Sequence, residues 1–410
     1  MMMKNKVILL IATLVLTLST SAASFETDRT WYLAGEAMKV NVTADNALIA
    51  YAELCDKNSL AAGVVIRLDG GKGTGTIELP SGLHSGYYLL SVYTRDQASV
   101  SHRLVAVINP LRKSKDDDIE WVSADSSWVD HRSDPVFDEK RITQSPHDLV
   151  RETEGHIIKA HVKNVSDGHT FKGNQIHPSI SIIGKQIHYF EGKMVNDSIA
   201  VFYTYGIHGK QPLVLSALSS TGVSLPIEMI SPFAAIIPKE LPHLVFHYKR
   251  SEVETRSLDM QRHQIAIAPT EDITPSDYDE TVFGTKPDLS YNLDEYRQFH
   301  TIREVLIEYV LCVSHRTVNG VQKLMVRKED APYDTSRPTM VFIDGMPVFD
   351  TERLLNYDAR RIHYINIYGG QYTFGNGVYN GILSFVTRSG RLTNYPTEPN
   401  MQYLVYDFPE

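Results

Sequence analysis

The stretch Gly86-Tyr87-Tyr88-Leu89-Leu90-Ser91-Val92-Tyr93-Thr94, entered through Leu79-Pro80-Ser81-Gly82 and Ser85, decides the fold class of this chain. It is nearly continuously apolar and bounded by turn formers, the pattern of a strand buried inside a sandwich. Upstream, Trp31 to Leu33, Met38 to Thr43 and Leu48 to Leu54 are short apolar runs split by Ala34-Gly35-Glu36 and similar turns, which predicts antiparallel β. Asp69-Gly70-Gly71-Lys72-Gly73 lies between Val64 to Leu68 and Thr74 to Leu79, so its glycines suit a hairpin needing positive φ. A phosphate loop does not fit, because the P-loop spacing is missing and a β run rather than a helix comes after it. The first domain is expected to close near Pro110.

With 410 residues, 42% of them hydrophobic and 22% charged, the chain can bury several cores. Forty Lys and Arg against 49 Asp and Glu give a net charge of -9, which argues against nucleic acid as a partner. Two cysteines, Cys55 and Cys312, cannot staple a disulfide scaffold, and no Cys-x-x-Cys pair suggests zinc. Free buried thiols are expected for both.

Lys4 and Lys6, the apolar run Val7 to Leu18, and Ser21-Ala22-Ala23 have the order of a secretory signal, with cleavage expected after Ala23. As a helix that run spans roughly 18 Å, short of a hydrocarbon core of about 30 Å. No Cys comes after it to carry a lipid, and no later segment predicts a membrane helix, so none remains after cleavage.

Further along, Arg112 to Glu120 reads as a solvated charge run, and Asp116-Asp117-Asp118 lacks the alternating ligands and central Gly of a calcium loop. Asp125 to Gly168 is polar, with strand alternation only from His156 to Val165. Ser198 to Tyr205, Leu213 to Leu218 and Val223 to Met229 predict a second sandwich ending near Ala268. His243 and His247 flank Leu244-Val245-Phe246, which favours a strand; roughly 13 Å then separates them, too far for one ion. Pro269 to Asn292 reads as a linker. Thr301-Ile302-Arg303-Glu304 is a capping box opening a helix whose apolar face is Ile302, Val305, Leu306, Tyr309 and Val310. Met340 to Ile343 and Met346 to Phe349 form a hairpin through Asp344-Gly345, Asp350 caps a short helix, and Ile362 to Tyr368 and Gly381 to Thr387 are strands.

Two resemblances attach to these residues. Asp28-Arg29-Thr30-Trp31-Tyr32-Leu33-Ala34-Gly35-Glu36, with Leu79 to Gly82 and Gly86 to Thr94, resembles the macroglobulin-type β-sandwich domain of alpha-2-macroglobulin-like proteins. Neither Leu54-Cys55-Asp56-Lys57 nor Leu311-Cys312-Val313-Ser314 is the Cys-Gly-Glu-Gln of a thioester, so covalent protease trapping is not implied. Pro338 to Val348, Ile362 to Tyr368 and Asn380 to Thr387 resemble the plug domain of TonB-dependent outer-membrane transporters, especially the Bacteroidota type. The residues after Thr387 are too few for the roughly 200 that a transport barrel places in strands, and no TonB box is visible, so a pore is not expected. Asp344 and Gly345 are read as turn formers.

The sequence therefore predicts a mainly β chain: tandem macroglobulin/immunoglobulin-like β-sandwich domains followed by a small α/β plug-like domain. The expected partition is a signal at 1–23, a macroglobulin-like sandwich at 24–110, a linker and β-rich region at 111–195, a second sandwich at 196–268, a linker at 269–298, a self-sufficient plug-like globule at 299–395, and a tail at 396–410. No Gly-x-Ser-x-Gly elbow or helix-opening Gly-x-Gly-x-x-Gly occurs, so no catalytic, cofactor-binding or metal-binding residue is named. The expected role is a non-enzymatic envelope protein, in the periplasm or at the outer membrane, that accompanies transport complexes through a protein partner there. The alternatives are a protease-binding macroglobulin relative without thioester and a hydrolase whose two carboxylates only the fold brings together.

Overall fold

The computed structural model describes residues 23–95, 100–122, 152, 155–184, 187–267, 283–318, 321–327, 338–374, 377–392, 395–396 and 398–409. Apart from Ala23, the expected export signal lies outside the described residues, as do much of the polar stretch 125–168 and of the linker 269–292.

The fold is mainly β, with two sandwiches followed by a smaller α/β unit. Strands β1 (Ser24–Thr27), β2 (Trp31–Leu33), β3 (Ala37–Thr43), β4 (Ile49–Cys55), β5 (Leu60–Arg67), β6 (Lys72–Glu78), β7 (Gly86–Tyr93) and β8 (Ser101–Ile108) build the first sandwich from sheets ordered β1-β3-β6 and β2-β8-β7-β4-β5. On β3, Met38, Val40 and Val42 point inward while Lys39 and Asn41 face outward by the period of two. Strand β7 is buried at every residue because both faces of its sheet are covered. Tyr88, Leu90 and Val92 enter the core between the sheets, and Tyr87, Leu89 and Tyr93 enter a second core on the opposite face. The Asp69-Gly70-Gly71-Lys72 turn forms, with φ of 56° at Gly70 and 80° at Gly71. Its two strands belong to different sheets and do not pair, so the expected hairpin is corrected: the turn carries the chain from one layer of the sandwich to the other.

After β9 (Ile119–Val122) the second sandwich begins at β10 (His156–Val162), continuing through β11 (Val165–Ser166), β12 (His169–Thr170), β13 (Ile176–Ile182), β14 (His188–Glu191), β15 (Lys193–Met194), β16 (Ile199–Thr204), β17 (Gly209–Ser219) and β18 (Ile227–Ile230). One sheet runs β15-β16-β10-β18, the other includes β14-β13-β17, and Ile158, Phe202, Ile180 and Leu215 fill the space between. This sandwich starts near residue 155 and its contiguous part ends near 230, correcting the expected 196–268.

The segment from 231 to 267 packs on the first sandwich instead. Strand β19 (Leu244–His247) runs parallel to β9, and helix α1 (Arg250–Ile267) comes next. Ile236, Leu244, Phe246 and Val253 cover the outer face of the first sandwich, packing on Trp31, Tyr51, Tyr87 and Leu104. The helix was not expected: its inward positions Val253, Ser257 and Met260 mix one serine with two apolar residues, and Leu258 is exposed, which blurs the 3.6-residue period. It is fastened by Arg256, whose Nη2 sits 2.7 and 2.8 Å from the carboxylate oxygens of Glu36 while the guanidinium stacks 4.4 Å over Trp31.

The third unit comprises β20 (Leu289–Asn292), α2 (Ile302–Glu308), β21 (Val313–Val318), β22 (Val321–Val326), β23 (Met340–Ile343), β24 (Met346–Pro347), α3 (Thr351–Leu355), β25 (Ile362–Phe374) and β26 (Gly377–Thr387). Its sheet is ordered β20-β25-β26-β23-β24, with β23 parallel to β26, and α2 and α3 pack on one face. The capping box at α2 forms as read, Thr301 Oγ1 accepting from Glu304 N and Glu304 Oε2 from Thr301 N. Asp350 caps α3 through Arg353 N.

The chain then returns as β27 (Gln402–Phe408), antiparallel to β17 over Gly209↔Phe408 to Leu215↔Gln402. The segment expected as a tail is thus the outer strand of the second sandwich, with Tyr406 and Phe408 in its core. The expectation of a self-sufficient C-terminal globule is likewise corrected. Val214 of β17 lies in its helical-face core, and Tyr189 of β14 meets Phe342 and Phe374 at ring separations of 5.4 and 5.0 Å.

Candidate functional site

Among the described residues, a concentrated set of ionisable groups lies where the two sandwiches meet. Glu152, just before β10, is buried with its carboxylate bonded by β4, by the turn after β7 and by β10. Its Oε1 accepts from Arg95 Nη1 at 3.0 Å, His156 Nδ1 at 3.1 Å and Ile157 N at 2.8 Å, and Tyr51 Oη on β4 lies 2.7 Å from both oxygens. His156 Nε2 meets Tyr406 Oη of β27 at 2.6 Å. Arg95 also donates to the carbonyls of Ile157 and Pro232, each at 3.2 Å, and lies 4.5 Å over the Tyr51 ring.

Burial by itself would raise the Glu152 pKa, but the hydrogen bond and charge of His156 and the charge of Arg95 outweigh it and hold the carboxyl below its ordinary value. Burial raises the Tyr51 and Tyr406 hydroxyls. These groups bond one another in a buried, closed set, so their chemistry is that of an ion pair joining the first sandwich, the second sandwich and the C-terminal strand. No local motif announces it: 101 residues separate Tyr51 from Glu152 and 250 separate His156 from Tyr406.

Two further buried carboxylates fix connections. Glu53 on β4 accepts from Tyr93 Oη and from Ala235 N and Ile236 N, anchoring the segment that leads from the second sandwich back to the first. Asp344, at φ 47°, accepts from Thr387 N at 2.7 Å, Thr387 Oγ1 at 2.5 Å and Leu392 N at 2.7 Å. It is therefore a turn former, as read, and also the clamp on the end of β26. Burial raises both carboxyls despite these bonds.

Of the other residues weighed from the sequence, His243 sits exposed with Nδ1 2.5 Å from Asp118 Oδ1, and His247 ends β19. Asp117 accepts from the amides of Ser85 and Ser114 as a loop brace. Cys55 in β4 and Cys312 ahead of β21 lie in separate units and form no disulfide; Cys55 is buried as expected, but Cys312 is only half-buried, because it sits at the start of a strand pair near the surface. Among the described residues no cluster of three or more His, Cys, Asp or Glu is placed to hold a metal ion, and no helix is long and apolar enough to cross a membrane.

The C-terminal unit carries a shallow, open surface cleft beside its edge strand β20. Leu293, Val305 and Ala359 form its apolar floor with Tyr296, Phe299 and Tyr309, whose rings pack at 4.7 Å (Tyr296 to Tyr309) and 5.5 Å (Phe299 to Tyr309). Arg297, Arg360 and Arg388 stand around it. Arg360 forks onto Asp358 at 2.8 and 2.9 Å, and Arg388 donates to Asp294 at 2.5 Å; hydrogen bonds from these arginines hold both aspartates below the ordinary carboxylate range. Sequence pattern assigns 269–298 to a linker, so it misses Leu293, Tyr296 and Arg297. The signal available was the aromatic run Tyr291, Tyr296 and Phe299 immediately before the capping box.

No protein-family model matches this chain, and no curated protein matches it. Among solved structures, similarity is found to the BSP domain of a biofilm associated protein, at 9% identity over 53% of this chain and 30% of that one, TM-score 0.18. Native alpha-2-macroglobulin of E. coli matches at 13% identity over 52% of this chain and 14% of that one, TM-score 0.18, and tandem immunoglobulin domains of titin at 9% over 51% and 95%, TM-score 0.15. The chain thus spans less than a third of the length of the biofilm protein and the macroglobulin.

Proposed function

We propose that this chain is a non-enzymatic interaction module of the cell envelope, exported to the periplasm or outer membrane, whose α/β unit meets a protein partner of the outer-membrane transport type. One observation carries the reading: the ionisable groups concentrated in its interior are spent on joining units, while the side chains arranged around a surface concavity are an aromatic floor and an arginine rim. Aromatic residues and arginine are the types that dominate binding hot spots between proteins. The basic, apolar, small-residue order at the N-terminus supports export, and the Pro338 to Val348, Ile362 to Tyr368 and Asn380 to Thr387 trio supports an outer-membrane setting by its resemblance to plug domains.

The test is mild crosslinking in native cells, with affinity purification and sizing under native conditions. The reading expects one envelope protein in stoichiometric amount. Recovery of the chain alone, or turnover of surface glycans or peptides by the purified protein, overturns it.

A further inference from the structure

We infer that the cleft on the α/β unit is an anchor for an acidic protein segment carrying one apolar side chain, which packs on the Tyr296 and Phe299 rings while flanking carboxylates meet Arg297, Arg360 and Arg388. This rests on the proposed interaction role and deepens it by naming the partner's chemistry. The cleft is shallow and open, not an enclosed small-molecule pocket, and its aromatic floor is a surface on which one apolar side chain can lie.

The rim supplies the charge argument. Arg360 uses Nε and Nη2 on Asp358, and Arg388 uses Nε on the carbonyl of Arg360 and Nη2 on Asp294. Each therefore keeps Nη1 for an incoming acceptor among the described residues. Arg297 makes no hydrogen bond or ion pair among the described residues. The residues lining the cleft carry three guanidinium groups and no carboxylate, two of them held from behind by Asp358 and Asp294, on a chain whose net charge is -9, so an incoming carboxylate meets donors there. The guanidinium fork matches a carboxylate two bonds at a time.

The experiment measures fluorescence anisotropy of three labelled peptides on the full chain: Glu-Asp-Leu-Asp-Glu, Glu-Asp-Ser-Asp-Glu and Lys-Lys-Leu-Lys-Lys. The first is expected to bind at least about tenfold more tightly than either control, to weaken with salt, and to lose about tenfold with R297E, an exposed substitution that leaves the fold intact. R297K should retain part of the affinity. Equal binding of the three peptides, or an unchanged R297E, overturns the assignment. The crosslinking experiment repeated with R297E separates the two ideas: a partner still captured in full means that the cleft is wrong and the interaction role stands. No partner with either protein, alongside selective peptide binding, means the reverse.

Discussion

Replacing Glu152 by glutamine removes the charge at the junction of the sandwiches while keeping the side chain's shape. Arg95 is then left with its side chain only 11% exposed and no carboxylate. Breaking one partner of a buried pair typically costs about 3–5 kcal/mol, because the remaining charge is uncompensated. Arg95 keeps two carbonyls at 3.2 Å and the Tyr51 ring at 4.5 Å, which places the expected loss near the lower end, about 3 kcal/mol. The assay is urea unfolding monitored by tryptophan fluorescence, since Trp31 and Trp121 both lie in the core that covers the first sandwich, with circular dichroism as the probe of the whole. The two probes should part in E152Q, because the joint that couples the units is gone.

A double variant, Arg95→Met with Glu152→Met, should recover at least half of the loss, as apolar pairs of similar volume replace buried ion pairs with little penalty. The acid dependence has a fixed sign. Glu152 is held below its ordinary 4.5, so its contribution is complete above about pH 4.5 and disappears as pH falls through the lower folded value. The difference between wild type and E152Q must shrink only there. A loss below about 1 kcal/mol at neutral pH, or additive effects of the two methionine substitutions, refutes the coupling.

Three other outcomes rest on the packing. Gly345→Ala should destabilise the α/β unit by about 2 kcal/mol, since φ is 90° and an added Cβ would stand 2.8 Å from Ile187 Cγ2 and 2.9 Å from the Ile182 carbonyl; urea titration of the variant checks it. Asp344→Ala leaves the Thr387 and Leu392 amides unmet, while Thr387 Oγ1 keeps only Ser389 Oγ at 3.4 Å, and should lower stability by about 3 kcal/mol at pH 4. Because burial raises the Asp344 carboxyl, the stability it lends is present below its ordinary 3.8 and fades as pH rises through the folded value, so this loss should be smaller at pH 8. Phe408→Ala empties a fully buried site in the second sandwich and should cost about 3–5 kcal/mol by the same titration, whereas Val405→Ala on the exposed side of that strand should cost under about 0.5 kcal/mol.

Much of the fold could be read from local pattern. The alternation of β3, the uninterrupted apolar β7, the glycine turn after Asp69, the capping box at Thr301 and the turn at Asp344-Gly345 each rest on a period or a dihedral requirement confined to a few residues. The candidate site was far less legible. The cleft gathers side chains from residues 293 to 388, and Arg297, exposed and without a motif, differs from any surface arginine only by what the fold sets beside it.

The amino-acid sequence by itself determined that the chain is mainly β, that sandwiches precede an α/β unit, and where the firmest turns and caps fall, because these depend on spacing and on which residues tolerate a given φ. Tertiary structure alone decided that α1 and β19 turn back to cover the first sandwich, that β27 completes the second, and that Glu152 draws Tyr51, Arg95, His156 and, through His156, Tyr406 into one buried set. Strand partners and ion pairs are chosen by which surfaces must leave water together, and that choice spans up to 250 residues, beyond the reach of any local period.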